Sequence, residues 1–348
     1  KAECPVGVDV GRFKSEFLAD YWQRHGTPLD ARALGHVRSL LRFGSAAPSL
    51  FNAVARSKAG RWIAETAIGI DRRRSMPALA PRTFEHAARQ RAASATAAPS
   101  AVLFGDTFTN YCHPDIGLAA LDVMAAAGVH ANVVSHACCG RPLISKGLLD
   151  EARLLAEANT RALFDAAASG QPIVFLEPSC LSAVQEDAPA LLRGDLQRAA
   201  RTVANACLSF EAFIERGYQT KTIDLRLAAG PRTIVLHGHC HQKAAGLLAP
   251  VQALLSRIPD ATVVDLDAGC CGMAGSFGYD RAHYEVSKAI GERRLLPAAR
   301  ALGPGDILVA PGTSCREQVA HFTGVQAVHP AVLLRSLSAS ARANTSRS

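Results

Sequence analysis

Ten cysteines are the residues of this 348-residue chain whose type and spacing could support chemistry. Two pairs are adjacent in sequence, Cys138–Cys139 and Cys270–Cys271. Adjacent cysteines seldom bridge each other, because a disulfide needs Cα atoms about 4.4–6.8 Å apart in a favourable torsion. In a protein that is not secreted, such spacing favours ligation of a metal or a cluster. Thiolates are soft ligands that suit iron–sulfur clusters and zinc.

The most complete set of candidate ligands lies in the C-terminal third of the chain and consists of Cys240, Cys270, Cys271 and Cys315. A [4Fe–4S] cluster usually takes four thiolates, so this set suffices for one cluster. Burial in a core would explain each cysteine alone, but not their recurrence at the ends of predicted strands. Glycines let the backbone approach sulfur atoms, and four surround the second pair: Gly269, Gly272, Gly275 and Gly278.

Zinc is the alternative occupant of the same site. Cys240 is flanked by His239 and His241, with His237 nearby, and zinc accepts mixed Cys/His ligand sets. The C-x-x-C spacing of zinc ribbons is missing, which favours iron–sulfur over zinc but leaves zinc open. With zinc, the protein would be a structural or interaction module without redox activity. A Cys–His nucleophile is not favoured, because no cysteine stands alone with a separately placed base.

A second set of candidate ligands consists of Cys138, Cys139 and Cys180, with Cys112 as the fourth candidate. An ordinary cubane needs a fourth ligand, and Cys112 is the cysteine that the sequence repeat makes equivalent to Cys240. Cys207 falls outside the repeat, and we expect it to be a buried residue on a helix. The sequence therefore predicts a second site that is less complete than the first.

An internal duplication between residues 101 and 335 positions these cysteines. The order strand–Cys–helix–strand–Cys-Cys-Gly–helix–strand–Cys occurs twice, and the copies open with the apolar runs 101–104 and 233–236. Strands that alternate with helices predict an α/β fold, here two duplicated Rossmann-like lobes with parallel sheets. Ligands of such sheets bind beyond the carboxyl ends of the strands. We therefore expect each set of cysteines to meet at one edge of its lobe.

Composition and periodicity divide the chain into five regions. Cys4 precedes Pro5, a pair that closes the ferredoxin run C-x2-C-x2-C-x3-C-P. We therefore expect the helical first region to be the remnant of a ferredoxin-like domain that continues upstream of Lys1. The predicted regions are a helical segment 1–71, a Pro/Ala/Ser/Arg-rich linker 72–100, a first lobe 101–225, a second lobe 232–335 and a disordered tail 336–348.

Charge and composition limit the classes of partner. The net charge is +8, but the basic residues do not interleave with the 6% of aromatic residues, so nucleic-acid binding is not expected. No apolar run approaches about eighteen residues, so no membrane span is expected. The glycines near Cys270 lack the G-x-G-x-x-G spacing, so NAD binding is not expected. We expect a cytoplasmic protein, either free or peripheral at the inner face of a membrane.

Six motifs are long and specific: Phe104–Tyr111, Cys138–Leu143, Glu177–Cys180, His237–His241, Cys270–Gly278 and Ser314–Gln318. Together they resemble the C-terminal region of FAD-binding and iron–sulfur-binding oxidoreductases of the D-2-hydroxyacid (D-lactate or D-2-hydroxyglutarate) dehydrogenase type. The cysteine-rich "CCG" domain of that family is shared with iron–sulfur subunits of glycolate oxidase and with heterodisulfide reductase subunits. The resemblance extends from residue 1 to about residue 335.

The resemblance implies that this chain transfers electrons and does not itself act on the substrate. In the family, an upstream domain binds FAD and oxidises the hydroxyacid, and ferredoxin-like clusters pass electrons onward. The implied partners are the upstream flavin and ferredoxin-like domains and an electron acceptor, and no catalytic residue is expected here. The implied ligands of [4Fe–4S] clusters are Cys240, Cys270, Cys271, Cys315, Cys138, Cys139, Cys180, Cys112 and Cys4.

The chain departs from the family pattern at two kinds of position. Five-cysteine relatives carry C-x-x-C where this chain has Glu177…Cys180 and Gly312…Cys315, so a five-thiolate, non-cubane cluster is not expected. The position of Cys112 is often aromatic in relatives. The resemblance therefore supports three ligands in the first copy and leaves the fourth open.

Overall fold

The computed structural model describes residues 8–92 and 100–338. Cys4 and residues 339–348 of the predicted tail lie outside the described residues. Two sheets lie within the described part of the chain, and all paired strands within each sheet run parallel. This arrangement confirms the predicted α/β fold class.

Within residues 8–92, six helices precede the first sheet. Asp9 caps the first of them by accepting a hydrogen bond from the amide of Arg12 (3.0 Å). The same helix is anchored to the first lobe by Trp22, whose Nε1 donates to the carbonyl of Lys146 (2.8 Å). The helices are α1 Val10–His25, α2 Leu29–Gly35, α3 Val37–Gly44, α4 Pro48–Arg56, α5 Lys58–Ile68 and α6 Phe84–Ala92.

The first sheet has the strand order β2-β1-β3-β4. Its strands are β1 Ala101–Phe104, β2 Ala131–Asn132, β3 Ile173–Phe175 and β4 Cys207–Ser209. All residues of β1 and β3 are buried, as parallel strands covered on both faces require. The helices of this lobe are α7 Thr107–Tyr111, α8 Pro114–Ala126, α9 Arg141–Ser145, α10 Leu149–Ala168, α11 Pro178–Ser182, α12 Ala188–Leu191, α13 Gly194–Ala206 and α14 Phe210–Gln219.

The second sheet has the strand order β6-β5-β7 and repeats the β2-β1-β3 arrangement of the first. Its strands are β5 Thr233–Leu236, β6 Thr262–Asp265 and β7 Asp306–Val309. The helices of this lobe are α15 Cys240–Ala244, α16 Leu248–Leu255, α17 Tyr284–Glu292, α18 Leu295–Arg300, α19 Thr313–Thr323 and α20 Pro330–Leu337. None of the described helices is long and apolar enough to cross a membrane.

One continuous apolar core joins the two lobes. Helices from different lobes pack in pairs, α8 against α20 and α14 against α16. Their buried side chains mix with strand residues of both sheets, among them Leu103 and Val174 of the first and Ile234 and Leu236 of the second. Separate clusters cover the outer faces of the sheets. The relative position of the lobes is therefore held by apolar burial.

Residues 72–92, which the composition suggested to be part of a linker, pack against both lobes. Phe84 is fully buried against Gly105 and Gly117 of the first lobe. Arg74 reaches into the second lobe, where its Nε donates to the carbonyl of Gly278 (2.6 Å). A few large side chains anchor this segment, and such isolated contacts leave no periodic signal in the sequence.

Two smaller features also differ from expectation. Cys207 is buried, as expected, but it is the first residue of β4 and not a helix residue. In the predicted tail, Ser336 and Leu337 belong to α20, and Ser338 forms a β-bridge with Leu227. The helix continues because Leu337 is buried in the core shared by the two lobes, which the Ser/Ala-rich composition does not reveal.

Replacing Phe84 with Ala should lower the free energy of unfolding by about 3–5 kcal/mol, because it leaves a cavity in the shared core. Phe43→Ala is the matched control, since Phe43 is 83% exposed and should change stability by less than about 0.5 kcal/mol. Denaturant unfolding measures both. Equal effects of the two substitutions would contradict a structural role for residues 72–92.

Candidate metal centre

The cysteines of the second lobe lie at the carboxyl ends of its strands. Cys240 is the first residue of α15, which follows β5. Cys270 and Cys271 occupy the loop after β6, and Cys315 lies in the first turn of α19, which follows β7. Parallel strands share one carboxyl edge, so three separate chain segments deliver four thiols to the same edge.

The four cysteines of the second lobe lie at the same sheet edge, and Cys271 interacts with both Cys270 and Cys315. The interaction with Cys270 lowers the pKa of Cys271, but the interaction with Cys315 and burial outweigh it, so this pKa lies well above its usual range. Cys240 is exposed, and its thiol interacts electrostatically with that of Cys270. Cys271 and Cys315 are therefore shielded from solvent, whereas Cys240 lies at the surface.

The loop that carries the adjacent pair depends on Gly272. Its backbone is left-handed (φ +95°), and its amide donates to the sulfur of Cys270 (3.3 Å). A Cβ atom at this position would lie 2.2 Å from the carbonyl oxygen of Ser287 and 3.0 Å from Nε2 of Gln318. Glycine is therefore required here by both the backbone conformation and the space.

Three histidines surround this site, and burial lowers the pKa of each, to about 4 for His237 and about 3 for His239 and His241. All three are therefore neutral at pH 7. Both ring nitrogens of His237 are buried without a hydrogen-bond partner. Nδ1 of His241 lies 2.7 Å from the hydroxyl of Ser182 in the first lobe. Among the described residues, no three Cys, His, Asp or Glu side chains are grouped as ligands of a single metal ion.

The first lobe brings three thiols together. The sulfur atoms of Cys139 and Cys180 are 2.9 Å apart, and Cys138 is adjacent to Cys139 in the chain. All three are buried. The hydrogen bond with Cys139 lowers the pKa of Cys180, but burial outweighs it and raises that pKa to about 11. These thiols are protonated at neutral pH in the absence of a metal.

Cys112, the fourth candidate of the first lobe, lies apart from this group. It packs with Leu41, Leu79 and Tyr111 in a separate apolar cluster. Burial raises the pKa of the Cys112 thiol to about 12. A thiol in this position fits an apolar packing role.

The position of each residue within its helix explains the difference between the lobes. Cys240 is the first residue of α15, whereas Cys112 follows the last residue of α7. The first residue of α7 is Thr107, whose hydroxyl donates to the sulfur of Cys138 (3.6 Å). Thr107 therefore occupies in the first lobe the place that Cys240 holds in the second. Thr107 is not among the predicted ligands, because the sequence pattern consists of cysteines and because α7 begins one residue sooner after its strand than α15 does.

A buried carboxylate, Glu177, connects the two sites. Glu177 caps α11, which carries Cys180. Its Oε2 accepts a hydrogen bond from the amide of Thr313 (2.8 Å), at the start of the helix that carries Cys315. Its Oε1 lies 3.9 Å from Nε2 of His239. One side chain of the first lobe thus contacts the cysteine-bearing helix of the second.

Gly312 is the counterpart of Glu177 in the second lobe. A Cβ atom at Gly312 would lie 2.1 Å from Cδ2 of the buried His239. The bridging carboxylate therefore comes from the first lobe alone. In the sequence, Glu177 and Gly312 both depart from the C-x-x-C pattern. Only the structure shows that the Glu177 side chain reaches the second lobe beside Gly312.

Two ranges of the chain, 106–185 and 234–320, match the family model of the cysteine-rich domain, CCG. They include every cysteine of the two sites described above. The match confirms the family resemblance that the sequence motifs predict. It also confirms that the cysteine-rich motif is duplicated.

The chain is similar to curated oxidoreductase proteins. It is 29% identical over 290 residues to a subunit of the anaerobic glycerol-3-phosphate dehydrogenase of Escherichia coli (strain K12), covering 82% of this chain and 71% of that protein. It is 25% identical over 345 residues to D-2-hydroxyglutarate dehydrogenase of Pseudomonas putida, covering 94% of this chain and 32% of that protein. It is 24% identical over 195 residues to a subunit of the fumarate reductase (CoM/CoB) of Methanothermobacter marburgensis, covering 55% and 36%. The chain thus spans about a third of the last two relatives, and the similarities support an oxidoreductase-associated role.

Replacing Gly312 with Ala should lower the free energy of unfolding by about 1–3 kcal/mol, because the new methyl group overlaps the His239 ring. Gly11→Ala serves as the control. Its Cβ would lie 3.4 Å from the Asp9 carboxylate in an exposed helix turn, and it should be neutral or stabilising. Chemical denaturation of both variants gives the comparison, and a neutral Gly312→Ala would contradict close packing between the lobes at His239.

Proposed function

We propose that this chain is the iron–sulfur electron-transfer portion of a flavin-dependent dehydrogenase. The observation that carries the proposal is the placement of four cysteines directly beyond the carboxyl ends of the three strands of the second sheet. Four thiolates are the usual ligand set of a [4Fe–4S] cluster. The two matches to the cysteine-rich domain and the similarity to dehydrogenase proteins support the same conclusion.

The second lobe fits such a cluster in its donor atoms and in their surroundings. Cys240, Cys270, Cys271 and Cys315 would hold it, and the amide of Gly272 points at a sulfur. The interaction with Cys271 and burial raise the pKa of Cys270 far above its usual range. Ligation therefore releases protons from thiols that are protonated in the metal-free protein. The cluster would supply one-electron redox chemistry.

The first lobe fits a cluster less completely. Cys138, Cys139 and Cys180 would supply three thiolates, and the fourth ligand would not be a cysteine, because Cys112 lies in a separate apolar cluster. Thr107 is the residue placed where the fourth ligand would approach. Cys4 would belong to a ferredoxin-like cluster whose other ligands lie upstream.

The proposed direction of electron flow follows from the chemistry of the two cofactors. Flavin accepts both electrons of a hydride, whereas each cluster passes one electron at a time. The partners would be FAD-containing and ferredoxin-like domains, in the same polypeptide or in a complex, and an electron acceptor. A D-2-hydroxyacid is the proposed substrate of the flavin domain, and glycerol 3-phosphate is the second compound to test because of the similarity to the glycerol-3-phosphate dehydrogenase protein.

Replacing Cys271 with Ser should reduce the iron and acid-labile sulfide bound per chain after anaerobic reconstitution, because a hard oxygen replaces a soft thiolate. Cys207→Ser is the matched control. Cys207 is equally a buried cysteine, but its sulfur donates to the carbonyl of Val203 (3.1 Å) outside both sites. Metal and sulfide analysis with absorbance near 400 nm measures the difference.

The same two variants test the function in the complete enzyme. With Cys271→Ser, rapid reduction of the flavin by the substrate should persist, whereas turnover with the acceptor should fall sharply. Normal acceptor turnover would remove Cys271 from the electron path. Wild-type protein that retains zinc and takes up no iron would instead favour a structural or interaction module without redox activity.

We further propose that the protein is cytoplasmic and contacts the inner face of a membrane through its N-terminal helices. In α1, Val10, Phe13, Phe17 and Tyr21 share one face and are each more than 40% exposed. Residues 8–74 contain twelve Lys and Arg against six Asp and Glu, and so carry six of the eight net positive charges. An apolar stripe with a basic surround is typical of helices that lie at an anionic membrane surface.

Phe17→Ser should weaken binding to phosphatidylglycerol vesicles at low salt, because it removes one anchor of the apolar stripe. Leu154→Ser is the control, because Leu154 in α10 is 61% exposed and Phe17 is 60% exposed. Co-sedimentation measures the bound fraction. No binding by the wild type, or equal loss in both variants, would contradict the membrane contact.

A further inference from the structure

Arg74 is a buried arginine in the segment that joins the N-terminal helices to the first lobe. Only 3% of the residue is exposed. Its guanidinium is fully engaged by the second lobe: Nε donates to the carbonyl of Gly278 (2.6 Å), Nη1 to Oε1 of Gln318 (2.8 Å) and Nη2 to the hydroxyl of Ser287 (2.8 Å). The side chain therefore holds one fixed position inside that lobe.

The three acceptors of Arg74 surround the loop of the second cysteine pair. Gly278 ends the glycine-rich motif that begins at Cys270, and Gln318 is one helical turn beyond Cys315. Ser287 and Gln318 are the residues that leave no room for a side chain at position 272, directly after Cys271. The guanidinium thus binds the residues that pack against the Cys271–Gly272 backbone, and it interacts electrostatically with Cys271.

The charge of Arg74 has no carboxylate bound to it among the described residues. Its hydrogen-bond acceptors are neutral, and its other neighbours are the rings of Tyr279, Tyr284 and Phe322, whose centroids lie 4.8–6.0 Å from its Cζ atom. Asp71 acts on Arg74 electrostatically, but its carboxylate is hydrogen-bonded to Arg73. A buried charge without a paired counter-charge is costly.

We propose that Arg74 is a positioning residue whose buried positive charge raises the reduction potential of the cluster held by the second lobe. This inference rests on the proposed function. A cluster ligated by four thiolates is an anion, and accepting one electron makes it more negative by one charge. A fixed cation nearby stabilises the reduced form more than the oxidised form, and net charge and surroundings are known determinants of cluster potential.

The test is a redox titration of the reconstituted full chain followed by EPR, in a Cys139→Ser background that disables the first lobe. Arg74→Gln removes the charge and should shift the reduction equilibrium at least tenfold toward the oxidised form, a fall of about 59 mV for a one-electron couple. Arg74→Lys keeps the charge and should retain most of the wild-type potential. Arg72→Gln is the matched control, since Arg72 is 57% exposed and paired with Glu65, and the variant leaves the Arg73–Asp71 pair in place.

A second variant covers the case in which Arg74→Gln does not fold. Gln318→Glu keeps Arg74 but pairs its charge with a carboxylate, and it should lower the potential in the same direction. Iron and sulfide content, measured first, separates the two hypotheses. A wild-type chain without a cluster would overturn the proposed function and this inference with it. A loaded chain whose potential is unchanged by both variants, or is lowered equally by Arg74→Lys and Arg74→Gln, would overturn this inference alone.

Discussion

The carboxylate of Glu177 links the helices that carry cysteines of the two sites. It caps the helix of Cys180 in its own lobe and accepts a hydrogen bond from the amide of Thr313 in the other (2.8 Å). Each of these helices starts at the carboxyl end of a strand, so the contact joins the functional edges of both sheets. Since Gly312 cannot carry a side chain, the carboxylate has no competitor from the second lobe.

Burial of charge is the physical consequence of that contact. Asp106 and Glu177 are both buried near the thiols, and burial together with their mutual repulsion raises the pKa of Asp106. Arg316 lies within electrostatic reach of both carboxylates, and its Nη1 is held by the carbonyl of Ala310 (3.0 Å). Two buried carboxylates therefore act on Arg316 electrostatically, whereas Asp71, the carboxylate that acts on Arg74, is hydrogen-bonded to Arg73.

The sequence was sufficient to predict the features that depend on strand order. Apolar runs before each cysteine and the repeated Cys-Cys-Gly predict parallel strands, and parallel strands place their ends on one edge. The grouping of Cys270, Cys271 and Cys315, and of Cys138, Cys139 and Cys180, follows from that rule. Cys112 differs because the whole of α7 lies between β1 and this residue. The spacing of the cysteines in the sequence does not show where that helix begins and ends.

The contacts that the sequence could not reveal are those made by single side chains across long separations. Arg74 is 204 residues from Gly278 and 244 from Gln318, and it lies in a segment whose composition resembles a linker. Periodicity detects faces that bury many residues, whereas one long cation needs only a gap among small residues such as Gly278 and Ser287. A segment can therefore lack any helical or strand pattern in its sequence and still supply a buried charge close to a candidate site. Arg74 is the most buried arginine of the residues that the structure describes, yet composition alone gives no sign that the second lobe encloses it.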